Sequence, residues 1–595
     1  MLEDGQGGAV KYVKWKLLTP SLILGVLSVT AAGQSLPTIE KLGFTSKVVQ
    51  LNGPCDWPSW DPKTPPEAGE YAAEGSCGVT AAQANPGDPY IATGVMGQDL
   101  GYSFEETDTA GRRTGKLIFL FGDTIGFDPA AGLHADPAQG AFPDFHAKDT
   151  LAWSTSPTED YFTITYYPLP LPGERNSPLF VTEPGTGYLP PQPSDEQPDY
   201  VSNGHDVSMG AYDVPNSGIS LNGQTYLIIN TGRQITDSTR ADYSVLVKFD
   251  GVSTFTTGRT VSEANYGYMD ISCTGSIDGK PCPPPLFIPG HFVFDALAPI
   301  IVLGPCVPLL GDGCVFLPID AVGIYGNGQY RASSLYFSYV PASAFETGTD
   351  SGGNPATVYF AGYKKDGRTP KWTNLESEAQ PLFWDNPPSF APPAPGKSDP
   401  GTVGNASVFY DSNTQLWMML YDGGRSGGQA TTGIYFTYAA APWGPWEKPQ
   451  LIYNACQAHE ENRQGYGDFI FYYTKDVGDP TKNGCPGALS GINPGTKGDA
   501  AWSGPAGPVI GTPGPFGHQA FTRRGGAYAP HIINRFSGSK DGELKLQYTL
   551  STWNPYAVVL METDFTIARN PSGSGTMSET RIEGPSSTSR LQGEA

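Results

Sequence analysis

Two aspartates flanked by glycine bracket an apolar hairpin. Gln98-Asp99-Leu100-Gly101 opens it and Phe121-Gly122-Asp123-Thr124 closes it. A carboxylate at the end of a buried strand is costly to hold unless it has partners or a task. Two carboxyls in unlike environments can hold two protonation states at one pH, one giving a proton and one activating water or attacking carbon. Cleavage of a glycosidic bond needs that pair, opening onto one cleft. Asp123 follows the apolar run Lys116-Leu117-Ile118-Phe119-Leu120-Phe121, so desolvation would favour its protonated form and the acid role. The alternative use of both aspartates is structural, each capping a turn through an Asx hydrogen bond.

Other residues could serve the same cleft. Asp149 opens the next strand and could position the first two acids, or simply start the strand; Asp213, before a Val-Pro turn, is placed similarly. Arg331 interrupts a strand-like run, where a guanidinium can hydrogen-bond sugar hydroxyls, hold a carboxylate ionised, or form a structural ion pair. Among the seven histidines, His205 and His531 are the leading site candidates, followed by His146 and His518. Trp553, Tyr528, Tyr556 and Trp443 could stack on sugar faces, and Trp553 and Tyr528 are assigned to substrate binding. No EF-hand or His-x-x-x-His spacing is present, so no metal ligand is assigned. A structural calcium ion is the metal such a site would take, and no organic cofactor is expected.

These residues must be brought together by strands. The run at 116–121 reads as a strand buried on both faces. Similar strand-turn-strand units recur at Val214–Gly258, Ala321–Tyr363, Ala406–Pro449 and Tyr528–Phe565, turning at Asn-Gly, Asp-Ser-Asn or Asp-Gly. Five such units without helices predict an all-β fold, a five-bladed β-propeller; two layered sandwiches are the alternative. The expected organisation is a signal peptide with N-terminal extension (1–33), an irregular strap (34–90) supplying the strand that closes a ring, the catalytic propeller (91–569) and a disordered tail (570–595). Pro-rich stretches at 188–193 and 386–393 read as rigid exposed loops.

Composition agrees with that class. Aromatics make up 12% of the 595 residues, charged residues only 16%, and there are 75 glycines and 56 prolines. A net charge of -23 argues against nucleic acid or an anionic membrane as partner and suits a secreted protein acting on a neutral polysaccharide. Lys11, Lys14 and Lys16 precede a short apolar core that ends at Ala31-Ala32-Gly33, the pattern of a secretion signal; the alternative, a membrane anchor, is disfavoured by Pro20. After signal removal a soluble monomer, away from the membrane, is expected. Eight cysteines suit an oxidising compartment, and pairing of neighbours gives Cys55/Cys77, Cys273/Cys282, Cys306/Cys314 and Cys456/Cys485 out of about 105 connectivities. Asn405-Ala406-Ser407 is a glycosylation sequon.

Several phrases together resemble one family: GQDLG (97–101), LFGDT (120–124), VPNSG (214–218), YGNGQYRASSLYF (325–337), GPWEKP (444–449) and STWNPYAVVLM (551–561). They are similar to a bacterial domain-of-unknown-function family that includes the endo-D-arabinanases, five-bladed propeller glycoside hydrolases. The resemblance spans about residues 90–565 and implies an envelope or secreted glycan hydrolase, endo-acting on D-arabinan. Two acids of the family pattern are absent: Gly404-Asn405 stands where Gly-Glu is expected, and Gly526-Ala527-Tyr528-Ala529-Pro530-His531 where Glu-Tyr-Gly-Pro-Tyr is expected. These losses keep a non-catalytic carbohydrate-binding propeller open as the alternative. A structural or adhesion protein would instead need a large exposed apolar patch. Inversion through activated water is the expected stereochemistry.

Overall fold

A computed structural model of the chain describes residues 36–52, 95–126, 149–167, 180–181, 200–202, 205–207, 214–231, 243–251, 255–263, 276–277, 280–281, 290–308, 314–328, 333–383, 402–423, 433–453, 526–553 and 557–568. Ile39–Ile567 form one compact unit; the other, Met1–Thr38 with Ala568–Ala595, lies almost wholly outside the described residues. The larger unit is a five-bladed β-propeller, and the described helical content is three short 3-10 turns.

Strand β1 (Thr38–Gln50) precedes the first blade, which is β2 (Val95–Thr107), β3 (Arg113–Gly126), β4 (Asp149–Ser154) and β5 (Thr165–Tyr166), with β6 (Phe180–Val181) also on β4. A two-stranded ribbon, β7 (Tyr200–Ser202) and β8 (His205–Val207), follows. Blade two is β9 (Pro215–Leu221), β10 (Gln224–Thr231), β11 (Tyr243–Phe249) and β12 (Phe255–Glu263); a second ribbon is β13 (Ser276–Ile277) and β14 (Lys280–Pro281). Blade three runs from β15 (Phe294–Pro308) through β16 (Cys314–Asn327), β17 (Tyr336–Pro341) and β18 (Val358–Tyr363) to β19 (Pro370–Thr373). Blade four holds β20 (Ala406–Asp411), β21 (Leu416–Gly423), β22 (Gly433–Ala439) and β23 (Gln450–Tyr453). Blade five is β24 (Gly526–Ile532), β25 (Gly538–Lys540), β26 (Glu543–Trp553) and β27 (Ala557–Ala568), and β1 pairs with β27 as its outer strand. The strap region thus contributes a strand to the last blade.

The innermost strands touch in a closed circle: β2 on β9, β9 on β15, β15 on β20, β20 on β24 and β24 on β2. Side chains alternate across each sheet, so both faces of a blade are core. On β3, Leu117, Phe119 and Phe121 pack towards Ile533, Phe536 and Val558 of blade five, while Ile118 and Leu120 pack on Val214, Leu227 and Ile229 of blade two. On β10, Tyr226 and Ile228 turn the other way, onto Phe292, Val322 and Ile324 of blade three. Each such side chain contributes about 1.5–3 kcal/mol on burial. This two-sided core explains why β3 is apolar at every position from Leu117 to Phe121 rather than at alternate ones.

Candidate active site at the axial ends of the inner strands

Asp99 lies near the start of β2, directly across from Gly122 on β3, and is 7% exposed. Asp295 holds the matching position on blade three, across from Gly326. On blade four the acid comes from the second strand: Asp422 of β21 is fully buried and its Oδ1 accepts a hydrogen bond from Asn405 N–H at 2.5 Å. Each acid rests over a glycine. A Cβ on Gly122 would sit 2.7 Å from Asp99 Oδ1, one on Gly326 2.6 Å from Asp295 Oδ1, and one on Gly404 would run into both Asp422 oxygens. Glycine is required there because the carboxylate occupies the space of a side chain.

The three acids are gathered around Tyr102, three residues beyond Asp99 on β2. Its phenol is pushed well above the ordinary tyrosine range by burial and then by the negative charge of Asp422; Asp99 and Asp295 add to this, and the nearby Asn405 side chain acts in the opposite sense. Carboxylates from blades one, three and four are therefore within electrostatic reach of a single hydroxyl.

Blade five closes the site. The Tyr528 hydroxyl donates to Asp99 Oδ2 at 3.0 Å. His531 stands edge-on to Tyr102, with ring centroids 4.8 Å apart at 82°, and its Nε2 lies 2.6 Å from Ser103 O. A carbonyl only accepts, so Nε2 carries the proton and Nδ1 is the acceptor. That Nδ1 is buried with no hydrogen-bond partner among the described residues. Burial lowers the His531 pKa to about 4, against the raising effect of its bond to Ser103 O, so the ring is neutral near pH 7.

Backbone irregularities aim these side chains. Leu100 has φ 63° and Gly101 φ 80°, and the β2–β3 register slips between Leu100 and Tyr102. On β24, Ala529 and Pro530 together oppose a single residue of β26, and Ala529 has φ 49°. On β9, Asn216 is the extra residue, and its Nδ2 donates to Val293 O of blade three at 3.0 Å. Asn327 of blade three reaches in the same way to Val403 O of blade four at 3.1 Å.

The remaining sequence candidates are distributed as follows. Asp123 lies in a bulge of β3 opposite Gln98, and its side chain is outside the described residues. Asp149 opens β4, where it is 1% exposed and pairs with Val181 of β6. His205 opens β8 and Trp553 ends β26; the side chains of both are outside the described residues. Arg331, Asp213, Tyr556, His146 and His518 lie outside them altogether. Trp443 packs edge-on against Trp372 in the core between blades three and four. Cys306 and Cys314 occupy β15 and β16, with Cys314 opposite Pro308, while Cys55, Cys77, Cys273, Cys282, Cys456 and Cys485 are outside the described residues. Asn405, the sequon residue, is 5% exposed and turned towards Tyr102, which closes it to glycosylation in the folded chain. Among the described residues no group of three or more His, Cys, Asp or Glu side chains is arranged to hold a metal ion, and no helix is long and apolar enough to cross a membrane.

Sequence reasoning missed Asp295, Asp422 and Tyr102. Phe294-Asp295-Ala296 and Tyr421-Asp422-Gly423 each place an acid directly after an aromatic at a strand end, and that was the available signal.

No curated protein matches the sequence. Among solved structures, a putative hydrolase from Bacteroides ovatus is 11% identical, with 79% of this chain and 86% of that chain covered at a TM-score of 0.37. A family 43 glycoside hydrolase from Bacillus licheniformis is 12% identical, covering 78% and 72% at a TM-score of 0.30. An alpha-L-arabinanase from Cellvibrio cellulosa is 8% identical, covering 78% and 91% at a TM-score of 0.29. Likeness of this degree says nothing about the reaction. The sequence comparison is decisive for kinship: the family described as a domain of unknown function, DUF4185, matches residues 85–562, and the chain belongs to it.

Proposed function

We propose that the protein is a secreted glycoside hydrolase of a furanose-rich polysaccharide, endo-acting on D-arabinan, with Asp99 and Asp123 as its acid–base pair. The observation that carries this reading is the gathering of Asp99, Asp295 and Asp422 about Tyr102 at the axis. A cluster of acids is where a carboxyl that gives a proton and another that acts as a carboxylate can meet. Those are the two states that hydrolysis of an acetal requires. Asp99 is the most exposed of the three, at 7% against 3% for Asp295 and 0% for Asp422, and so the one best placed to meet a substrate. Asp123 belongs to the same hairpin, one residue beyond Gly122 on β3.

The test is release of oligosaccharides from a panel of arabinans and other plant and bacterial glycans. Asp99→Asn and Asp123→Asn should each lower turnover by about 10³-fold or more while the melting temperature stays nearly constant. Retained turnover with a large loss of stability would reject the pair. A non-catalytic carbohydrate-binding propeller is the second reading, favoured by Asn405 and Ala527 standing where the family pattern has acids. It would show glycan binding by calorimetry with no product at any pH.

A further inference from the structure

We propose that Tyr528 is a positioning residue for Asp99, and that blade five thereby makes Asp99 the ionised partner, the base, of the pair. The inference rests on the hydrolase reading above and assigns the two roles within it. The Tyr528 hydroxyl donates to Asp99 Oδ2 at 3.0 Å, and a donor on a carboxylate favours its charged form. The other oxygen, Oδ1, lies against the Cα of Gly122, where no side chain fits.

The backbone around Asp99 is held by the same blade. Leu100 and Gly101 adopt φ of 63° and 80°, and their carbonyls turn to β26. Ser551 Oγ donates to Leu100 O at 3.2 Å and Thr549 Oγ1 to Gly101 O at 2.7 Å. Tyr528 itself is aimed by the bulge at Ala529 and Pro530, where Ala529 is fully buried at φ 49°. A non-glycine residue is strained in that region, and such strain persists where the surroundings impose it. Three bonds from blade five thus fix one carboxylate of blade one. Tyr102, on the same strand as Asp99, has Asp295 of β15, Asp422 of β21 and His531 of β24 about it from other elements. His531 is neutral, and Tyr528 supplies the donor that touches the Asp99 carboxylate.

Tyr528→Phe removes the hydroxyl and keeps the ring. The expected result is an acidic limb of kcat/KM moved up by about one pH unit, kcat lowered about tenfold and KM within about twofold of the parent. A residue that only stacks on sugar would raise KM and leave the acidic limb in place, and that result overturns the proposal. Ser551→Ala, which frees Leu100 O, should give a smaller shift in the same direction, and it carries the test if Tyr528→Phe folds poorly. A readout independent of turnover is the carboxyl carbon-13 titration of Asp99 in aspartate-labelled protein, its signal identified by its loss in Asp99→Asn. The midpoint should rise by about one unit in Tyr528→Phe. If the parent protein cleaves no glycan, the hydrolase reading falls, and this titration alone still decides whether Tyr528 holds Asp99 ionised: an unmoved midpoint overturns it.

Discussion

At the scale of single residues, the site is a balance between like charges and the donors placed against them. His531 is the uncharged member, kept so by burial, and it supports Tyr102 by edge-on contact. Its lowered pKa has a consequence for stability. The unfolded chain takes up a proton at this histidine near pH 6.5, whereas the folded chain resists protonation until about pH 4. Stability from this group is therefore fully present above about pH 6.5 and is lost as the pH falls towards 4, by up to about 3 kcal/mol. Urea unfolding of the parent and of His531→Gln across that interval should show the difference, the variant falling less steeply with acid. Equal slopes would mean that the ring is not held neutral by the fold. The residues that take part were unevenly legible. Asp99 and Asp123 stand out because each has a glycine within two residues at an end of the apolar hairpin, whereas Tyr102 reads as one more core aromatic and Asp295 as a solitary charge in an apolar strand.

At the scale of strands and hairpins, the site depends on irregularity placed within regular pairing. β2 and β3 pair over the apolar stretch from Glu105↔Leu117 to Leu100↔Phe121, then slip on both sides of Asp99. Gly122 is the hinge of this arrangement. An alanine there would place its Cβ 2.7 Å from Asp99 Oδ1, 2.8 Å from Val214 Cγ1 and 2.9 Å from Leu100 Cδ1. Gly122→Ala should lower stability by about 1–3 kcal/mol, seen as a lower urea midpoint, and should reduce turnover by moving the carboxylate. A variant with parental stability and turnover would show that the contact is loose. The strands themselves were readable because Leu117 to Phe121 is unbroken by polar residues and the turns are marked by Asn222-Gly223, Ser412-Asn413 and Asp541-Gly542. The bulges were not readable. Ala529 and Leu100 are residue types without preference for positive φ, and only the facing blade imposes it.

At the scale of the whole propeller, a ring of five sheets brings together acids that are 127 to 323 residues apart in sequence, Asp99, Asp295 and Asp422, and no local pattern records that meeting. The ring must also be shut. Arg535 of blade five binds both oxygens of Glu105 on β2, at 3.0 and 2.7 Å, and reaches Ser156 O at 3.1 Å, joining the last blade to the first. On the outside, β1 completes blade five by pairing with β27 and is tied to blade four at the same time. Lys41 Nζ donates to Ile452 O at 2.6 Å, Thr45 Oγ1 to the same carbonyl at 3.0 Å, and Gln450 Nε2 to Ile39 O at 2.5 Å. Without β1, the edge of β27 would be open and its inner neighbours would lose a buried face. A chain beginning at Leu51 should therefore lose its cooperative urea transition or have its midpoint reduced by well over half, and its turnover with it. A peptide of residues 38–50 added in excess should restore part of both, because the edge it fills is already shaped. An unchanged midpoint in the shortened chain would show that the ring is held by its inner contacts alone.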